Sequence, residues 1–176
     1  MKIIEDILNS KIKPKEKQMK LVDLIVSGEI QIDEFISFFK SAKDTAKGTC
    51  ADVLKNVSAQ NPELLEPYID TLLNYINYPL PRVKWGIPET IGNMASHYPN
   101  KVTKAVPLLL KNTTDDKKNT TVIKWCAAFA LTEIAKNNTK TQKELLPIFK
   151  NIIKTEQNNG VRNVYIKAMK TIGKDK

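Results

Sequence analysis

The 176-residue sequence predicts an all-α fold in which short antiparallel helices form pairs and the pairs stack in a row. Three observations predict this class. Apolar residues recur with helical spacing along the whole chain, no stretch sustains the alternation of a β-strand, and similar segments return about every 40 residues. The length fits a single domain that buries its own hydrophobic core.

Turn and cap sequences divide the helical pattern. These sequences are GEI, NP, YPLP, YPN, NNT and NNG, and they combine glycine, proline and asparagine. The helices expected between them cover residues 2–9, 14–27, 31–41, 44–59, 62–77, 81–97, 100–112, 120–137, 140–155 and 160–173. Because the connections are short, consecutive helices are expected to lie antiparallel.

The repetition is visible in both helices of each pair. Pro67, Pro107 and Pro147 lie 40 residues apart in the apolar frames LLEPYIDTLL, TKAVPLLLKN and ELLPIFKNII. Four second helices open with a matched dipeptide: Ala46-Lys47, Val83-Lys84, Ile123-Lys124 and Val161-Arg162. Counted from the first residue of each dipeptide, offsets 4, 7, 8 and 11 are mostly apolar or small. At about 100° per residue they fall within about 100° of arc, which predicts a stripe facing the core.

These features resemble the HEAT-repeat family. The resemblance is carried by the proline of the first helices and by second helices of the form V-K/R-x-x-A-x-x-A-L-x-x-I, best seen from Ile123 to Ile134. It covers four repeats in a single domain over 1–176 (about 31–60, 61–98, 99–138 and 139–176), with 1–30 as a divergent N-terminal capping pair. It implies a right-handed α-α superhelix of about five stacked antiparallel pairs, whose second helices line a concave surface.

The resemblance also implies a role for the basic residue that opens each second helix. In HEAT-like stacks this side chain pairs with an acid or a carbonyl of a neighbouring repeat. Asp44 and Asp115 or Asp116, in the preceding turns, are the acids expected to pair with it.

Offsets 2, 6, 9 and 13 of the second helices lie opposite the core stripe and are expected to face a groove. They place three aromatic residues in its middle and lysines at its C-terminal end. The predicted partner-binding residues are Trp85, Trp125, Phe129, Glu89, Lys136, Lys167, Lys170 and Lys174. Two alternatives stay open: the tryptophans fill gaps between adjacent second helices, and the lysines are solvated surface.

The charge of the chain is segregated. Residues 101–176 carry 16 basic and 6 acidic side chains, a net charge of +10, whereas residues 1–60 carry 10 and 9 and residues 61–100 carry 2 and 4. The excess favours an acidic protein or a nucleic acid as the partner of the C-terminal part.

No pattern indicates catalysis, a metal or a cofactor. His97 is the single histidine, and Cys50 and Cys126 are far apart, so a zinc site with the usual number of ligands is not expected. The sequence contains neither a glycine-rich phosphate loop nor a nucleophile triad. The N-terminus lacks the pattern of a signal peptide and no run has the length of a membrane span, so we expect a cytoplasmic protein.

The sequence thus predicts a non-catalytic scaffold module that binds an extended or helical, acidic protein segment. The alternative is a HEAT-like protein that binds nucleic acid. HEAT-like alkylpurine DNA glycosylases place tryptophans around the lesion and a carboxylate four residues after one of them, and Trp85 and Glu89 have this spacing. The chain departs from that pattern because glutamate replaces aspartate and Pro88 lies between the two residues.

Overall fold

The structure, a computed structural model that describes residues 2–114 and 119–174, confirms the all-α prediction. Those residues contain ten α-helices, three 3-10 segments and no strand. The α-helices are α1 (Lys2–Asn9), α2 (Pro14–Val26), α3 (Ile32–Ser41), α4 (Asp44–Gln60), α5 (Ile69–Leu73), α6 (Pro81–Asn93), α7 (Val106–Leu110), α8 (Thr121–Asn137), α9 (Thr139–Thr155) and α10 (Asn159–Lys174). The 3-10 segments are Pro62–Tyr68, Val102–Ala105 and Lys111–Thr113.

The helices form two layers. In one layer α2, α4, α6, α8 and α10 form a row in which each helix packs against the next. In the other layer α3 packs on α4, α5 on α6, α7 on α8, and α9 on both α8 and α10, while α1 covers α2. Each even-numbered helix therefore contacts the next one along the row, from α2 to α10.

The predicted core stripe is confirmed. Of its sixteen residues fifteen are buried, and Met169 is half-buried. The stripe consists of Cys50, Val53, Leu54, Val57, Ile87, Thr90, Ile91, Met94, Ala127, Ala130, Leu131, Ile134, Tyr165, Ala168, Met169 and Ile172. One hydrophobic cluster extends from Ile4 to Ile172, so the layers share a continuous core.

The helices predicted over 62–77 and 100–112 are shorter and partly 3-10 in the structure. Proline cannot donate to the carbonyl four residues earlier and its ring crowds that carbonyl, so Pro67 favours the tighter 3-10 turn before α5. Pro107 lies in the first turn of α7, where the missing N–H would have no helical partner. Pro147, in contrast, lies inside the continuous helix α9.

The asparagine-rich breaks act as helix caps. The Asn138 side chain accepts a hydrogen bond from the Thr141 amide at 3.0 Å and caps α9. The Asn158 side chain accepts from the Val161 amide at 3.1 Å at the start of α10. These bonds satisfy amides that the helices leave unpaired, which explains why the helices begin at these sequences.

The basic residues that open the second helices have different partners. The Lys47 ammonium donates to the carbonyls of Phe39 and Lys40, both at 2.8 Å. Lys124 forms a buried ion pair with Glu156 at 2.8 Å.

Of the acids expected to pair with these basic residues, Asp44 lies close to Lys47: burial lowers the pKa of that lysine, and the Asp44 charge partly opposes this lowering. The Asp44 carboxylate also accepts a hydrogen bond from the Tyr78 hydroxyl at 3.1 Å. Asp115 and Asp116 lie outside the described residues.

Candidate interaction groove

A solvent-open groove runs between α8 and α10 and encloses about 300 Å³. We call it the α8–α10 groove. Its α8 wall consists of Trp125, Phe129, Thr132, Glu133 and Lys136, and its α10 wall of Gly160, Asn163, Val164, Lys167, Ala168 and Thr171. Four predicted partner-binding residues therefore meet in one groove.

An aromatic stack forms the first part of the α8 wall. The rings of Trp125 and Phe129 are nearly parallel, at 2° and with 5.9 Å between their centroids, because residues four apart lie on one face of a helix. Trp125 remains 38% exposed. The stack therefore presents a flat apolar surface to the groove, and stacked aromatic rings are energetically favourable.

The seat of this stack is on α6. A Cβ atom at Gly92 would lie 2.6 Å from Cε1 of Phe129 and 3.1 Å from Cα of Ala130. Only a residue without a side chain leaves room for the ring at this approach of α6 and α8. Phe129 is therefore held by the neighbouring helix, and through the stack it positions Trp125.

The other end of the groove is charged. Lys136 and Glu133 form an ion pair on α8, and their side chains are 29% and 26% exposed. Lys167 is exposed on the opposite wall. The groove thus offers two ammonium groups and one carboxylate to a bound molecule.

Trp85 and Glu89 lie on α6, which does not contribute to the groove walls. Trp85 is half-buried, and its indole N–H is buried without an acceptor among the described residues. Glu89 accepts a hydrogen bond from the Cys126 thiol at 3.5 Å and lies 4.0 Å from the Lys55 ammonium. Burial, together with the nearby Glu89 carboxylate, raises the pKa of the Cys126 thiol.

A charged network occupies the α4–α6 seam. Arg82 donates to Asp52 at 2.5 Å, and Gln18 of α2 donates to the same carboxylate at 3.1 Å. Arg82, Asp52 and Gln18 are therefore paired with one another, in contrast to the open stack on α8.

The remaining predicted binding residues, Lys170 and Lys174, are exposed on α10 and do not line the groove. Residue Glu133, which the sequence analysis did not single out, does line it. Its offset of 10 from Ile123 lies just beyond the arc that was assigned to the outer face.

No helix within residues 2–114 and 119–174 has both the length and the apolar character needed to cross a membrane. The same residues contain no group of three or more histidine, cysteine or acidic side chains that could hold a metal ion.

Comparison with known proteins gives a structural likeness only. No model of a known protein family matches the sequence, and no curated protein matches it. The structure is similar to the crystal structure of an engineered protein from the Northeast Structural Genomics Consortium, with a TM-score of 0.71 and 15% sequence identity. The match covers 96% of this chain and 78% of the engineered one. At this identity the likeness supports the all-helical fold and carries no function.

Proposed function

We propose that this protein is a non-catalytic interaction module whose α8–α10 groove binds an acidic segment of a partner protein. The observation that carries the proposal is the Trp125–Phe129 stack, which is held in place by Gly92 and yet remains open to solvent. Aromatic side chains of this kind are the residues that most often anchor protein interfaces. An ordered ring also loses little conformational entropy when a partner binds.

The charge of the groove indicates the charge of the partner. Lys136 and Lys167 line it, and Lys170 and Lys174 lie on the same helix as Lys167. Within residues 101–176 the net charge is +10. Such a field attracts an acidic segment and accelerates its association, while the stack supplies apolar contact.

We interpret the row of even-numbered helices as a HEAT-like right-handed superhelix of five helix pairs, with residues 1–30 as the terminal pair. The 40-residue spacing of the prolines and the two alternating layers support this interpretation. In such a superhelix the second helices line the concave side, so the groove would lie there. Because both cysteines are free and buried, we expect the module to act in the cytoplasm.

Nucleic-acid binding is the second candidate, since an exposed aromatic stack beside lysines can also take a base and its phosphate. The groove is less suited to it because the Glu133 carboxylate lies on the wall. If the protein were a glycosylase that uses Trp85 and Glu89, the Glu89 carboxylate would have to lose its hydrogen bond from the Cys126 thiol and its contact with Lys55 before it could act.

The test is a fluorescence-anisotropy titration with two probes: a fluorescein-labelled peptide of about 18 residues containing phenylalanine, leucine and glutamate, and single-stranded oligonucleotides, each at about 50 and about 200 mM salt. We expect the peptide to bind. Trp125→Ala should weaken peptide binding by about tenfold or more, since a central aromatic anchor is lost. Val122→Ala is the matched control, because Val122 is 46% exposed on the same helix and lies outside the groove.

A second matched pair tests the lysines. Lys167→Ala should weaken peptide binding, whereas Lys170→Ala, on the same helix but off the wall, should change it little. If Trp125→Ala leaves the affinity for the peptide unchanged, the proposal is contradicted. Oligonucleotide binding that falls steeply with salt would favour the second candidate, and excision of alkylated base that Glu89→Gln abolishes would establish the glycosylase.

A further inference from the structure

Between its two ends, the α8–α10 groove offers a partner side chains but no free backbone groups. Its walls are formed by two continuous helices, whose amides and carbonyls are paired within each helix away from the ends. The Thr132 hydroxyl is also used, because it donates to the Phe129 carbonyl at 2.9 Å. An extended segment that pairs through its backbone, as at a sheet edge, would find no partners along the middle of these walls.

The two walls have the same length and the same periodicity. On α8 the wall residues follow Trp125 by 4, 7, 8 and 11 positions, and on α10 they follow Gly160 by 3, 4, 7, 8 and 11 positions. Eleven residues correspond to about 16 Å of helix. Each wall is thus a straight stripe of three helical turns, and a third helix laid between them has the matching repeat.

The groove is small and part of its lining is formed by small or medium-sized side chains. On α10 the wall includes Gly160, Ala168 and Val164, which keep it low. About 300 Å³ lies at the lower end of the range for ligand pockets, so the space suits one or two side chains from a helix.

The charged end requires separate acids rather than a continuous run of negative charge. Glu133 already pairs with Lys136, whereas Lys167 is exposed across the groove. A carboxylate aimed at Lys167 gains attraction, and a second one gains attraction from Lys136 at position 11 of the wall, whereas one placed against Glu133 at position 8 meets a like charge. The position of the acids along the partner therefore matters as much as their number.

Resting on the proposed function, we infer that the occupant of the α8–α10 groove is an amphipathic α-helix. It carries large apolar residues at positions i and i+4 against the Trp125–Phe129 stack. Its carboxylates follow at i+7 and i+11 and face Lys167 and the end of the groove at Lys136. The helix satisfies its own backbone, so the side-chain walls suffice for binding.

The experiment uses three fluorescein-labelled peptides of about 18 residues. Each peptide is synthesised twice, once with the sequence given below and once with that sequence reversed. The first has phenylalanine at i, leucine at i+4 and glutamate at i+7 and i+11. The second has the same composition with both glutamates moved two positions, onto the opposite face. The third is the first with its central alanine replaced by proline, which interrupts the helix.

We expect the first peptide to bind with only one of its two sequence directions and to gain helical circular dichroism on binding. The second and third peptides should bind with an affinity lower by about tenfold or more. Lys167→Glu should weaken binding of the first peptide, and Lys170→Glu, the same charge reversal outside the groove wall, should weaken it much less. Equal binding of the first and third peptides, abolished by Trp125→Ala, would overturn the helix but keep the proposed function. Absence of binding by all three peptides would overturn both.

Discussion

The ion pair between Lys124 and Glu156 ties α8 to the segment that joins α9 and α10. Lys124 is 8% and Glu156 6% exposed. One carboxylate oxygen of Glu156 accepts from the lysine at 2.8 Å, and the other accepts from the Asn158 amide at 2.7 Å. We predict that Glu156→Gln, which keeps the shape and removes the charge, destabilises the protein strongly, because the buried Lys124 ammonium loses the Glu156 carboxylate.

The size of the effect follows from burial. Removing one partner of a buried ion pair costs about 3–5 kcal/mol, since the remaining charge loses an attraction that offsets its desolvation. For a domain of this length each kcal/mol lowers Tm by about 2–4 °C, so the expected decrease is roughly 6–20 °C. Replacing both residues, Lys124→Met with Glu156→Leu, should restore much of the lost stability, since apolar residues of similar volume need no counter-charge.

Urea unfolding followed by circular dichroism measures Glu156→Gln and, as a double-mutant cycle, Lys124→Met, Glu156→Leu and the double variant. The matched control is the exposed Lys136–Glu133 pair on the same helix as Lys124, where Glu133→Gln should cost only about 0.2–0.5 kcal/mol. A loss below about 1 kcal/mol for Glu156→Gln, or a double variant no more stable than the singles predict by addition, would refute the reasoning.

Three further predictions concern single positions. Gly92→Ala should displace the Phe129 ring, because the new Cβ would lie 2.6 Å from it, and a shifted Trp125 emission spectrum would report the change. Asn158→Ala should lower stability by about 1 kcal/mol in urea unfolding through loss of the α10 cap. Burial raises the pKa of the Cys50 thiol from 9.0 to about 12, so the folded state keeps a proton that the unfolded chain releases. Stability should therefore fall as the pH rises above about 9, and Cys50→Ala should remove about 1–2 kcal/mol of the fall between about pH 9 and 10.5 in urea unfolding.

The helices and the core were predictable because local signals determine them. Helix α8 begins within one residue of its predicted start, and its stripe from Ala127 to Ile134 is buried, since both follow from spacing and cap residues. The 3-10 turns around Pro67 were missed because proline in an apolar frame is compatible with a helix start or a tighter turn, and packing decides between them. The Lys124–Glu156 pair was missed because the two residues are 32 positions apart, and periodicity gives a face but not a partner.

The candidate groove was predictable only in part. Trp85 and Trp125 hold the same offset in successive helices, and the sequence gives no reason to separate them. The structure separates them by their neighbours: Trp85 is half-buried on α6, whereas Trp125 faces the space between α8 and α10. The environment of each tryptophan ring depends on the side chains of the next helix in the row. Only the folded chain brings those side chains next to the ring.

The groove is therefore a property of three helices and not of one repeat. Helix α8 carries the Trp125–Phe129 stack, α6 provides the seat at Gly92, and α10 keeps the opposite wall low with Gly160 and Ala168. An isolated α8 would keep the stack but lose both the seat and the wall, so affinity for a partner requires the stacked row. It follows that Gly92→Ala, on a helix outside the groove walls, should weaken peptide binding, although its own side chain never touches the peptide.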